Sequence, residues 1–142
     1  VRRATVGLLV LLAACLAAPA GQAGAAGDGP GVAWLGLEQA LARRQDRPRP
    51  VVIFFHLPWC SRCQKMERTT YADPAVVRRL NAETWPARVD MSRRQGLAKR
   101  YGVDFVPTHV FLGPGGGEAF RVEDVIPPER YLRLLDRLGP GW

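Results

Sequence analysis

Metal ligands are scarce in these 142 residues: three cysteines and two histidines, with Cys60 and Cys63 the one close pair and His56 and His109 far apart in sequence. A structural zinc site takes four such ligands, commonly two pairs, which argues against zinc, and no metal site is expected; two thiolates alone can hold Cu(I), and copper handling stays open on that ground. Lysine is almost missing, two against eighteen arginines. No block of five or six like charges occurs, and the basic pairs Arg43-Arg44, Arg78-Arg79 and Arg93-Arg94 stand apart with no aromatics between them. The net charge of +7 therefore lacks the clustered footprint of a nucleic-acid binder. No apolar run reaches the roughly 20 residues of a membrane span. No internal repeat is visible, and the glycine run at 115–117 sits in a turn without the Lys-Ser/Thr of a phosphate loop. No dedicated dimerisation segment is present either, so a monomer is expected.

What the sequence does contain is a globular balance, 47% hydrophobic and 23% charged residues, enough for one domain. The first 26 residues have the pattern of an export signal: Arg2 and Arg3 form a basic start, an apolar run covers 6–18, and Ala18-Pro19-Ala20 and Ala23-Gly24-Ala25 each offer a small-x-small cleavage site. A competing reading takes Leu12-Ala13-Ala14-Cys15 as a bacterial lipobox, with Cys15 the lipidated first residue of the mature chain. Either way the expected location is periplasmic or otherwise extracytoplasmic, soluble or anchored through Cys15. Residues 27–31 form a Gly/Pro linker, and 32–142 form the domain.

Within that domain, helical and strand-like segments alternate. Apolar residues at Trp34, Leu37 and Leu41 predict a helix over 32–45, stopped by Asp46-Arg47-Pro48-Arg49-Pro50. The run Val51-Val52-Ile53-Phe54-Phe55 predicts a strand buried on both faces. Residues 61–81 are broadly helical, with a break at Ala72-Asp73-Pro74 where Asp and Pro suit an N-cap and the first helical position. A strand over 85–90, a helix over 95–101, a strand over 108–112, a hairpin partner over 118–122 and a helix opened by Pro127-Pro128 complete the order α-β-α-β-α-β-β-α. The fold class is α/β, a small mixed sheet between helix layers.

The sharpest chemical signal is Trp59-Cys60-Ser61-Arg62-Cys63, directly after the buried strand and at the start of a helix. Two cysteines three apart across the first helical turn can close a disulfide with little backbone movement. Unpaired N–H groups at a helix N-terminus favour a thiolate on Cys60, and Arg62 adds positive charge nearby. Cys60 is then the exposed nucleophile and Cys63, one turn deeper, the resolving thiol that expels a mixed disulfide.

These motifs resemble the thioredoxin family, over most of the chain from about Leu37 to Leu138. Trp59-Cys60-x-x-Cys63 is similar to the family's active site. Arg88-Val89-Asp90, followed by Ala98 through Thr108, is similar to the segment leading into its cis-proline loop. Met66-Glu67-Arg68 and Tyr71-Ala72-Asp73-Pro74-Ala75-Val76 resemble the exported branch that includes SoxW and the C-terminal domain of DsbD. The resemblance implies a thioredoxin-like fold, a cis Val106–Pro107 bond facing the cysteines, and substrate contact through Trp59, Val106, Pro107 and Thr108. It implies a thiol:disulfide oxidoreductase that reduces protein disulfides, supplied by a membrane electron donor of the DsbD type. No cofactor is implied beyond the redox-active Cys60–Cys63 disulfide. A disulfide-donating oxidase and a Cu(I)-handling protein of the same fold are the alternatives. One departure stands out: thioredoxins usually carry a buried Asp six residues before the first cysteine, and here that residue is Phe54. His56 is the candidate to take over proton exchange or thiolate stabilisation, against the alternative of a packed neutral ring; His109 is expected to be structural. Glu67 and Lys65 suit a solvated helix face.

Overall fold

The computed structural model describes residues 31–139. The export signal, lipidation at Cys15 and most of the linker lie outside the described residues. Five α-helices and four strands follow in the order α1 (Leu37–Asp46), β1 (Val51–His56), α2 (Ser61–Arg68), α3 (Pro74–Glu83), β2 (Trp85–Asp90), α4 (Gln95–Arg100), β3 (Thr108–Leu112), β4 (Glu118–Val122) and α5 (Pro128–Asp136), with a 3-10 turn, Thr70–Ala72, between α2 and α3.

The sheet order is β2-β1-β3-β4, with β1 parallel to β2 and antiparallel to β3, and β3 antiparallel to β4. As the apolar run predicts, all six residues of β1 are buried. Their side chains alternate between two cores, as strand geometry requires. Val52 and Phe54 join Cys63, Met66, Tyr71, Leu80 and Tyr131 on the face covered by α2, α3 and α5. Val51, Ile53 and Phe55 join Leu37, Ala40 and Ala98 on the face covered by α1 and α4. The sheet is thus central, and the loop after β1 opens at one end of it, carrying the cysteines.

The first helix is shorter than its sequence pattern suggests. Residues 32–36 are extended: Leu35 forms a parallel bridge to Ala87, with Leu35 N–H donating to Pro86 O at 2.9 Å and Arg88 N–H to Leu35 O at 3.0 Å. Trp34 and Leu35 go to opposite cores, which is the period of a strand; the helical spacing of Trp34 with Leu37 and Leu41 is coincidental. The break at Asp73 is as read. Its carboxylate accepts from Ala75 N–H at 2.9 Å and Val76 N–H at 3.0 Å, with Pro74 at the first helical position. Because these donors have no helical partner, Asp73→Ala is expected to cost about 1 kcal/mol of folding stability, measured by denaturant unfolding; an unchanged midpoint would mean that the cap is dispensable.

Candidate active site

Strand β1 ends at His56, and the chain turns through Leu57, Pro58 and Trp59 into α2. Cys60 N–H donates to Leu57 O at 3.1 Å and the Gln64 amide to Pro58 O at 3.0 Å, fixing that turn. Cys60 is the N-cap of α2, and its Sγ accepts from Cys63 N–H at 3.2 Å. The sulfur is therefore held where the helix presents free N–H groups, as the sequence predicts. Both cysteines are free thiols, Cys60 half-buried and Cys63 buried.

The two sulfurs are unequal. Burial pushes the Cys63 thiol up to about 12, helped by its hydrogen bond to Cys60 and by the nearby charge of Glu67, with the Leu57 main chain opposing. Cys63 is thus held protonated beside an accessible partner.

Opposite the cysteines, the loop before β3 brings Val106 O to 4.0 Å from Cys60 Sγ, and the Val106–Pro107 peptide is cis. Among the described residues no main-chain acceptor takes the Val106 N–H. Pro107 and Thr108 are buried beneath Val106, which is half-buried. The Thr108 hydroxyl donates to Phe105 O at 2.8 Å and ties down the loop. Arg62 is exposed and pairs with Asp124 in the loop after β4, which offsets its charge. Among the described residues no group of three or more His, Cys, Asp or Glu side chains is placed to hold a metal ion.

Behind Cys63 lies a network that sequence reasoning missed. Arg88 of β2 donates through Nε to His56 Nε2 at 2.9 Å and through Nη2 to Glu67 of α2. Glu67 is therefore half-buried in an ion pair, unlike the solvated residue expected, while Lys65 is exposed. Burial, then the Arg88 charge, holds the His56 ring below its ordinary range. A ring that accepts from a guanidinium at Nε2 is neutral, so the geometry favours the packed ring over a charged one. His56 stacks on Phe54 at 5.3 Å, and Phe54 stacks on His109 at 5.2 Å. The position where an Asp would lie is filled by an aromatic between two neutral imidazoles. His109 is structural, with Nδ1 at 3.0 Å from the Tyr71 hydroxyl.

A family model, described as a thioredoxin-like domain, matches residues 37–139. The chain belongs to the thioredoxin-like domain family. Among solved thioredoxin-like structures, a thioredoxin from Thermus thermophilus superposes with a TM-score of 0.68 at 35% identity, covering 75% of this chain and 86% of that one. The C-terminal domain of DsbD from Neisseria meningitidis, oxidised form, gives 0.62 at 21% identity, covering 75% of this chain and 100% of that one; that likeness shows the fold. In sequence, the thioredoxin-like region is 32% identical over 109 residues to the thiol:disulfide interchange protein DsbD of Pectobacterium atrosepticum, covering 73% of this chain and 18% of that protein. The chain thus spans less than a fifth of the length of the curated DsbD relatives it matches.

The Arg88–Glu67 pair gives a test with opposite signs. Glu67 opposes ionisation of Cys63, and Arg88 masks Glu67. Glu67→Gln is expected to speed thiolate formation at Cys63, and so resolution of a mixed disulfide at pH 7, by about fivefold, and Arg88→Met to slow it similarly, as a screened charge at this range supplies about 1 kcal/mol. Stopped-flow resolution rates read both, and slowing in both variants would instead make Glu67 the proton acceptor.

Proposed function

We propose that this chain is an exported thiol:disulfide oxidoreductase domain that reduces protein disulfides. The asymmetry of the two thiols carries the reading: an accessible sulfur at a helix N-cap and a buried one held protonated one turn behind it. The Cys60 thiolate attacks one sulfur of a substrate disulfide; a Cys60–substrate bond forms, the substrate S–S bond breaks, and the departing thiolate takes up a proton. Cys63 then gives up its proton and attacks Cys60 Sγ, releasing the second substrate thiol and leaving Cys60–Cys63 oxidised. Two electrons and two protons pass to the substrate. The Val106 main chain beside Cys60 can pair with an extended substrate segment, and Trp59 supplies apolar contact. The likeness to DsbD proteins supports a role in an extracytoplasmic electron chain, with a membrane dithiol donor of the DsbD type restoring the reduced state. The signal pattern in the first 26 residues supports the same location.

The test is stoichiometric. Protein reduced and then freed of reductant should convert one disulfide of a model protein substrate per chain into two thiols, itself ending with Cys60 and Cys63 joined. Substrate thiols in the absence of that joined product would refute the scheme.

A further inference from the structure

Among the described residues two large apolar side chains stand out as exposed, Trp59 and Phe105, each at 69%. Trp59 precedes Cys60, and Phe105 precedes Val106. Cys60 Sγ and Val106 O lie 4.0 Å apart, so each aromatic stands one residue along the chain from that contact, on its own loop. Neither loop is loose: the Trp59 turn is held by the Leu57 and Pro58 carbonyls, and the Phe105 carbonyl accepts from the Thr108 hydroxyl. Leaving two such side chains in water on fixed supports is unfavourable unless a partner covers them. Thr108, buried at 0% exposure, spends its hydroxyl on positioning Phe105.

We propose that Phe105, with Trp59, selects substrate segments that carry a large apolar side chain two residues from the disulfide cysteine. This rests on the disulfide-exchange reading above. An extended segment alongside Val106 points its cysteine at Cys60, and the residues two places to either side face the same way. At about 3.3 Å per residue, those side chains fall about 7 Å from the attacked sulfur, within reach of an aromatic ring one residue removed from the Cys60–Val106 contact. The occupant is the extended backbone of a protein disulfide substrate, continuous with the surface its sulfur must touch. The Arg62 charge, two residues after Cys60, is paired with Asp124.

The experiment uses two peptides that differ by leucine or serine two residues from a cysteine held as a mixed disulfide with glutathione. Attack rates are measured for the wild type, Phe105→Ser and Phe105→Leu. The wild type should favour the leucine peptide by about fivefold, the scale of half-burying such a side chain. Phe105→Ser should bring the ratio to within about twofold, and Phe105→Leu should keep most of it. The ratio within one preparation is independent of the fraction of protein that is active. No preference in the wild type, or the same preference in Phe105→Ser, overturns the assignment. Wild-type protein that cannot reduce bis(2-hydroxyethyl) disulfide, which is too small to reach the aromatics, would show that the exchange reading itself has failed and the assignment with it.

Discussion

Cys63→Ser is expected to stop turnover and leave the protein covalently joined to its substrate. Cys60 keeps its place at the N-cap of α2 and still attacks, but the sulfur that would displace the substrate from the mixed disulfide is gone. Exchange then waits for an external thiol, whose encounter is bimolecular, while Cys63 sits one helical turn away; positioning of that kind is worth about 10⁵ M or more in effective concentration. The adduct should run as a discrete band on a non-reducing gel and disappear with dithiothreitol. Cys60→Ser should form no adduct and show no turnover, because the remaining sulfur is buried and held protonated near 12. Adducts in Cys60→Ser as abundant as those in Cys63→Ser would reverse the assigned roles.

The second large effect is on stability. Acidification is expected to cost several kcal/mol through His109. Burial drives this imidazole from 6.5 down to about 3, outweighing the main chain of Asp124, so the folded protein keeps it neutral while an unfolded chain binds a proton at 6.5. The stabilisation is complete above pH 6.5. It is lost as the pH falls towards 3, at up to about 1.4 kcal/mol per pH unit. His56, also held below its ordinary range, acts in the same direction. Urea unfolding at pH 7, 6, 5 and 4 should therefore show a steep fall. In His109→Gln the protein should be weaker at pH 7, having lost the bond to Tyr71, but the fall should be shallower. An equal slope in the two proteins would place the acid sensitivity elsewhere.

The sequence made some features readable and hid others for identifiable reasons. Strand β1 and the Cys60-x-x-Cys63 turn are local: a continuous β-favouring run followed by two cysteines one helical turn apart. The break before α3 is local too, since Asp73 caps donors two and three residues ahead. Residues 32–36 are disguised in the sequence because alternating contacts to two cores, Trp34 to one and Leu35 to the other, mimic a helical spacing over so short a stretch. Arg88 was legible as part of a motif but not as the partner of His56 and Glu67, which lie 32 and 21 residues away. Phe105 was hidden because an aromatic in a sequence normally signals burial, and its exposure follows from how the α4–β3 loop is tied. The same loop withdraws Thr108 from the surface.

The central claim is that Cys60 and Cys63 form a reducing dithiol. The most direct test is the reduction potential of the pair, titrated against dithiothreitol and glutathione buffers, with Cys60→Ser and Cys63→Ser as controls. The expected result is a reversible two-electron couple near about −270 mV or below, absent from both variants. A potential near about −120 mV would make the protein a donor of disulfides, and the absence of any couple, with Cu(I) retained through purification, would contradict the redox reading outright.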